Sequence, residues 1–176
     1  MAAKDGFIWK GNFHFVTFGC NGKRKLLNTP FSRQIVISVL SDLVKKNSVK
    51  VSAFAIMPDH VHAVLWFEAD NNLPTVMQVW KHLSAHYLIQ YYEKYSPALL
   101  TYLKSVQNGR EITKVWTRKY YDYCIESEEK FLEKLNYIHN NPVRKELAKE
   151  PEDYAWSSAR YYSSGKSVGI KIDSGF

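Results

Sequence analysis

The sequence predicts an α+β fold whose elements follow one another as strand, helix, strand, strand, helix, strand, with one more helix after the last strand. Three observations carry this. Runs rich in β-formers occur at residues 12–18, on both sides of Pro58-Asp59 within 49–67, and at 114–125. Between them lie two stretches whose apolar residues recur at three- and four-residue spacing, the period of a helix with one buried face. Proline, asparagine and glycine punctuate the boundaries. The βαββαβ order is the split pattern of ferredoxin-like folds, in which two helices cover one face of an antiparallel sheet. The other face is then open to a ligand or to the last helix.

Taken in order, residues 12–18 alternate around Phe13, Phe15 and Thr17 and form a strand that Asn21-Gly22 closes. Lys23, Arg24 and Lys25 follow, either as a solvated turn or as phosphate contacts. Thr29-Pro30 is an N-cap followed by proline at the first helical position. Ile35, Val36, Val39, Leu40, Leu43 and Val44 then set an amphipathic helix over 31–46. Residues 49–67 make a hairpin about Pro58-Asp59, because proline presets φ and aspartate hydrogen-bonds its own backbone. Pro74 opens a second helix that stops near Ser96-Pro97. Its expected buried stripe is Val76, Trp80, Leu83 and Tyr87, with Lys81, His82 and Ser84 off it and Tyr91, Tyr92 and Tyr95 on a solvated end. Residues 98–112, with a turn at Asn108-Gly109-Arg110, read as a surface insertion. Residues 114–125 are the fourth strand.

Ser127 caps the last long helix, with Glu128 and Glu129 in the first turn where the helix dipole favours acids. Phe131, Leu135 and Ile138 form its buried face. Pro142 is expected to end it and to start a short turn over 143–148. The core is expected to span 11–162 of one domain, and the Ser/Gly-rich tail over 163–176 to fray.

Composition narrows the function classes. The chain has 176 residues, 45% hydrophobic and 23% charged, which is ordinary for a globular domain. It contains no apolar run of about 18 residues, so no membrane span is expected, and it begins without the apolar core of a signal peptide. A cytoplasmic location follows as an expectation. Two cysteines, Cys20 and Cys124, do not make a disulfide framework or a thiolate zinc site. Lys+Arg 24 against Asp+Glu 17 gives a formal charge of +7, with 12 Tyr, 5 Trp and 9 Phe. A basic, aromatic-rich chain suits a polyanion whose bases can be stacked upon.

The chemistry-bearing residues lie in two places. On a strand after Pro58-Asp59, His60 and His62 point to one face and Val61 to the other. Two imidazoles so spaced either hold one metal ion or are half-buried strand histidines. On the last helix Tyr137 and Asn141, four apart, share a face, with Lys134 and Arg144 near the same stripe. Tyr137 is either a nucleophile or a helix-surface aromatic. Asn141 either gives an amide oxygen to a metal or caps the turn after Pro142. A phenol ionises near pH ~10, so a nucleophilic tyrosine needs a cation or metal beside it.

The set Met57-Pro58-Asp59-His60-Val61-His62, then Trp116-Thr117-Arg118-Lys119-Tyr120-Tyr121-Asp122, then Tyr137-Ile138-His139-Asn140-Asn141-Pro142-Val143-Arg144 resembles the single-tyrosine HUH transposases, closest to the REP-associated group. The resemblance runs from Gly11 to about Tyr162; residues 98–112 are longer than in compact members. It implies a ferredoxin-like, RRM-like core. It matches His60 and His62 to a metal-binding pair, Asn141 to the third ligand, Tyr137 to the nucleophile, and Trp116 and Arg118 to the strand before the nucleophile helix. It implies single-stranded or hairpin DNA as partner, Mg2+ or Mn2+ as cofactor, and a 5′-phosphotyrosine intermediate that a 3′-OH reverses without ATP. Lys23, Arg24, Lys25, Lys81 and Arg118 are the candidate DNA contacts; monomer and homodimer both fit. Three other readings stand beside it: a replication initiator or relaxase-type nickase, a non-catalytic RRM-like binder, and a structural domain with incidental histidines. Zinc hydrolysis fits less well, since Asp59, the only nearby acid, is assigned to the turn.

Overall fold

The computed structural model describes residues 12–46, 48–68, 72–166 and 169–173. The hairpin forms where the sequence places it: β2 (Lys50–Ile56) and β3 (His60–Phe67) pair antiparallel, and the Met57 N–H donates to His60 O at 2.8 Å across Pro58-Asp59. β1 (Asn12–Gly19) lies on the other side of β3, and β6 (Tyr121–Ile125) pairs with the outer edge of β1. The order β2-β3-β1-β6, antiparallel throughout, is that of the predicted ferredoxin-like sheet.

Alternation divides the strands between two cores. The pairs Phe18↔Val61 and Val16↔Ala63 face α1 (Pro30–Lys45) and α2 (Leu73–Tyr95), forming one apolar cluster. Phe13, Phe15 and Val64 face the opposite way and pack with Phe131, Leu135 and Ile138 of α4 (Glu128–Arg144). The last helix thus takes the face that the first two leave open. The anchor of the first core is Trp80, fully buried, edge-on to Phe18 at 4.9 Å, with its Nε1–H donating to Val36 O at 2.9 Å. Truncating such a ring to alanine costs about 3–5 kcal/mol.

Local chemistry explains the boundaries. Thr29 Oγ1 accepts from the Ser32 N–H at 3.1 Å and Ser32 Oγ accepts from the Thr29 N–H at 3.2 Å, a reciprocal cap for α1. Ser127 accepts from the Lys130 N–H at 3.2 Å and starts α4.

Four expectations are corrected and a fifth is refined. First, the buried stripe of α2 is Val76, Met77, Trp80, Ser84, Leu88 and Tyr92, whereas Leu83 and Tyr87 are exposed. With 3.6 residues per turn each step of four turns the face by about 40°, so the buried stripe winds around this long helix instead of keeping to the one line that mixed steps of three and four would follow. Ser84 is tolerated inside because its hydroxyl donates to Trp80 O at 2.6 Å and accepts from Trp116 Nε1 at 3.1 Å. Tyr92 is buried too, its hydroxyl donating to Leu26 O.

Second, the fourth strand is shorter than 114–125. Trp116 makes a separate bridge to Cys20, and 117–120 is a loop whose carbonyls at Thr117 and Arg118 accept from Lys81 Nζ. Third, α4 runs through Pro142 to Arg144, and Glu146 follows at φ 56. Proline has a helical φ, so the helix passes through it at the cost of one hydrogen bond and of crowding between its ring and the preceding turn; the Lys145 N–H still donates to Asn141 O at 3.1 Å. Fourth, the tail is tied down where it is described; residues 167, 168 and 174–176 of it lie outside the described residues. After α5 (Ala159–Ser164), Ile170 and Ile172 are buried and the Asp173 N–H donates to Val51 O at 2.8 Å. Fifth, the surface insertion expected over 98–112 is refined and not overturned: α3 (Pro97–Thr101) leads into a ribbon of β4 (Lys104–Gln107) and β5 (Arg110–Thr113). Gly11, the expected start of the core, lies outside the described residues.

Candidate active site

β3 brings His60 and His62 to the α4 face, and the register sets Thr17 of β1 opposite His62. Each ring is held from behind. Asp59 Oδ1 accepts from His60 Nδ1 at 2.6 Å, and Thr17 Oγ1 lies 2.7 Å from His62 Nδ1. Both Nδ1 atoms are therefore engaged, which turns both Nε2 atoms toward each other, 3.0 Å apart. So turned, the two Nε2 atoms are placed to give their lone pairs to one divalent cation. Ring nitrogens backed by a carboxylate or hydroxyl are how proteins orient metal-ligating histidines.

α4 supplies the third group. Asn141, only 5% exposed, donates from Nδ2 to His62 Nε2 at 3.0 Å, and its buried Oδ1 has no partner. A buried amide oxygen left unsatisfied beside two converging imidazoles fits a cation ligand, since a half-turn of the amide brings Oδ1 to the histidine side. The helix runs straight through this position, so Asn141 is not the cap of a following turn. Among the described residues no three of His, Cys, Asp and Glu form such a group; an amide as third donor is what the site offers. Burial first, and His60 second, push His62 from 6.5 down to about 3. A neutral imidazole is the form that binds a metal.

One helical turn before Asn141, Tyr137 stands edge-on to His62 at 5.4 Å and to Phe15 at 5.8 Å, 37% exposed. The Arg144 guanidinium lies over its ring at 5.0 Å. The tyrosine is thus fixed on its inner edges by aromatic contact and is open outward, with a permanent positive charge beside it.

The basic residues read from the sequence divide. Lys23, Arg24 and Lys25 follow β1 directly, and this loop is tied to the hairpin turn by Cys20 N–H to Asp59 O at 2.7 Å and Leu27 N–H to Pro58 O at 2.8 Å. Lys25 lines a cavity of about 260 Å³ together with His60, Asp59 and Lys145. Arg24 is turned back, donating from Nη1 to Asn21 O at 3.1 Å. Lys81 is committed to the Thr117 and Arg118 carbonyls, and burial lowers its pKa. It braces the loop that carries Arg118, a role sequence reasoning did not foresee. Two further residues, Thr17 and Lys145, and a second role for Asp59 are not foreseen from the sequence. Asp59 was legible as a turn residue, and its second role behind His60 follows only from the turn's geometry. Thr17 and Lys145 reach the site through strand register and the end of α4, which no local motif signals.

A ferredoxin-like sheet with a His-hydrophobic-His pair opposite a helix-borne tyrosine is the arrangement expected of a tyrosine transposase, and relatives agree. The family described as "Transposase IS200 like" matches residues 7–141. The chain belongs to this family. Among curated proteins of Haemophilus influenzae, one described as a REP-associated tyrosine transposase is 23% identical over 150 residues, 85% of this chain and 80% of that protein. Another, uncharacterised, is 24% identical over 147 residues, 74% of this chain and 80% of that protein. The fold is shared with a REP-associated tyrosine transposase solved bound to a REP hairpin, at TM-score 0.62 and 18% identity, over 100% of this chain and 94% of that one. A protein described as a transposase from Deinococcus radiodurans superposes at TM-score 0.50 and 19% identity, over 80% of this chain and 97% of that one.

Proposed function

We propose that this chain is a metal-dependent tyrosine transposase that cuts and rejoins single-stranded DNA next to a hairpin. The observation that carries the reading is the meeting of Tyr137, His62 and Asn141 in ring and hydrogen-bond contact, from elements 79 residues apart in sequence, beside His60. His60, His62 and Asn141 are the residues that would hold Mg2+ or Mn2+, which supplies Lewis-acid polarisation of the scissile phosphate. Imidazole ligands suit manganese better on softness, and magnesium is the more abundant ion.

Tyr137 gives up its proton and attacks phosphorus. The bond from phosphorus to the 3′ oxygen breaks, that oxygen leaves as a 3′-OH with a proton, and the 5′ phosphate stays on Tyr137. The phosphoester is conserved, so an incoming 3′-OH reverses the step. Arg144, over the ring, puts a permanent positive charge beside Tyr137, where the developing phosphate charge would find a counter-charge. Phe15 and His62 hold the ring so that attack starts from one geometry. All four side chains come from one chain, so a single copy completes the site; a homodimer is compatible with it. The hairpin preference rests on the bound REP hairpin of the structural relative and on the +7 charge. No helix among the described residues is long and apolar enough to cross a membrane.

The test is a denaturing gel with a labelled pool of DNA hairpins bearing single-stranded flanks, with Mn2+. The parent chain gives a covalent adduct that peptide mapping places on Tyr137, and Tyr137→Phe gives none. An adduct on another residue, or one undiminished in Tyr137→Phe, overturns the reading.

A further inference from the structure

Residues 104–113 form a two-stranded ribbon that is not hydrogen-bonded to the main sheet. Its register is Lys104↔Thr113, Ser105↔Ile112, Val106↔Glu111 and Gln107↔Arg110, closed by a two-residue turn. Asn108 at φ 52 and Gly109 at φ 73 are both left-handed, the backbone of a type I′ hairpin, whose twist matches that of the strands it joins. The turn therefore presents Gln107 and Arg110 as directly opposed neighbours on one face of the tip. Residues 106–111 are exposed without exception, Val106 at 75%. An arm that buries nothing at its tip contributes little to the stability of its own chain.

Charge says what the arm meets. Residues 104–119 hold five cations, Lys104, Arg110, Lys114, Arg118 and Lys119, against the single acid Glu111, a net +4 of the chain's +7. Glu111 is itself paired with Lys104 at 2.8 Å on the face away from Gln107 and Arg110. The ribbon's root is fastened beside the candidate active site. The Asn21 N–H donates to Val115 O at 2.7 Å and the Thr117 N–H to Gly19 O at 2.9 Å, and Gly19 is the register partner of His60.

We infer that the β4–β5 ribbon enters the major groove of the DNA stem next to the cut site and reads base edges there with Gln107 and Arg110. This rests on the function proposed above and adds the surface that selects the stem. A major groove about 12 Å wide admits a two-stranded ribbon, and arginine and glutamine are the side chains that bind guanine and adenine edges in bidentate fashion. Lys114, Arg118 and Lys119 at the root lie toward the phosphates, which set position and not sequence. The stem enters from the ribbon side, and the single strand beyond it runs on to His60 and Tyr137.

The experiment compares the parent chain with Gln107→Ala, Arg110→Ala and Arg110→Lys, each checked by circular dichroism. The probes are a DNA hairpin pool with a randomised stem and a fixed flank, and that flank alone. Stems bound by the parent are enriched and sequenced. Expected are a base preference at one or two stem positions, loss of that preference in all three variants, and about tenfold or weaker binding of the enriched hairpin by the alanine variants. Arg110→Lys keeps the parent's salt dependence, because the charge remains. Binding of the stemless flank is unchanged throughout. Equal weakening on both probes means bulk charge alone and overturns the inference. Unchanged preference and affinity for the hairpin assign the ribbon to some other partner and overturn it also, with the proposed function intact. A parent that binds no hairpin but still forms the Tyr137 adduct on the flank overturns the inference; a parent that does neither removes the proposed function with it.

Discussion

Replacing Asn141 with leucine separates a structural asparagine from a ligand. The side chain is 5% exposed, makes one bond to His62, and leaves Oδ1 unsatisfied. A buried unsatisfied acceptor costs about 1–3 kcal/mol, whereas the lost hydrogen bond is worth about 0.5–1.5 kcal/mol. A leucine of similar shape adds roughly 1–2 kcal/mol of apolar burial. Losing its Asn141 donor also leaves the buried His62 Nε2 short of a partner, which costs about 1–3 kcal/mol, so in chelator Asn141→Leu is expected to lie between neutral and about 2 kcal/mol more stable than the parent. Metal reverses the order. A ligand at a hundred times its Kd stabilises by about 2.7 kcal/mol, which in a chain of this size raises Tm by about 5–10 °C. The parent should show that rise with Mn2+ and the variant little of it. The assay is thermal unfolding followed by circular dichroism, with EDTA and with MnCl2. A variant at least about 2 kcal/mol less stable in EDTA, or an equal Mn2+ shift in both proteins, refutes the reasoning and makes Asn141 a packing residue.

The remaining expectations follow from single contacts. Asp59→Asn keeps the turn but weakens the 2.6 Å contact behind His60; Mn2+ affinity by calorimetry should fall about 10- to 100-fold, with stability in EDTA within about 1 kcal/mol of the parent. Tyr137→Phe removes a hydroxyl from a half-exposed ring held by aromatic edges, so urea unfolding should change by no more than about 0.5 kcal/mol while adduct formation is lost. Cys20 is buried and its thiol is pushed from 9.0 up to about 12; the native chain should show only Cys124 reacting with Ellman's reagent at pH ~8, and both cysteines after unfolding. Because the folded value lies above the unfolded one, Cys20 holds its full contribution below pH 9.0 and loses it as pH rises toward 12. At pH ~10 that loss is about 1–2 kcal/mol, and the stability of Cys20→Ala measured in urea should fall by that much less over the same range.

Much of this molecule was legible from residues alone. The alternation around Phe13, Phe15 and Thr17, the turn at Pro58-Asp59, the Thr29 and Ser127 caps and the Phe131–Leu135–Ile138 stripe are local patterns, decided by neighbours two to four residues away. They sufficed for the sheet order and for placing His60 with His62 on one face, since a strand has a fixed period of two. Local pattern failed where a distant group settled the balance. Ser84 entered the core because Trp116 supplies its donor; 117–120 left the strand with two of its carbonyls bound by Lys81; Ile170 and Ile172 returned to the core because Val51 offers an edge. Pro142 looked like a helix end, yet packing of α4 on the sheet outweighs one missing bond.

The candidate site divides in the same way. Its residue types and their spacing along β3 and α4 are properties of the chain. That Asn141 reaches His62 across 79 residues, that Thr17 lies 2.7 Å behind the same ring, and that Arg144 lies over Tyr137 follow only from the register of β1 on β3 and the docking of α4. Side-chain periodicity fixes which way a residue points along its own element. Which residue it meets depends on how two elements slide and rotate against each other, and that is set by the summed packing of both cores and not by any one motif.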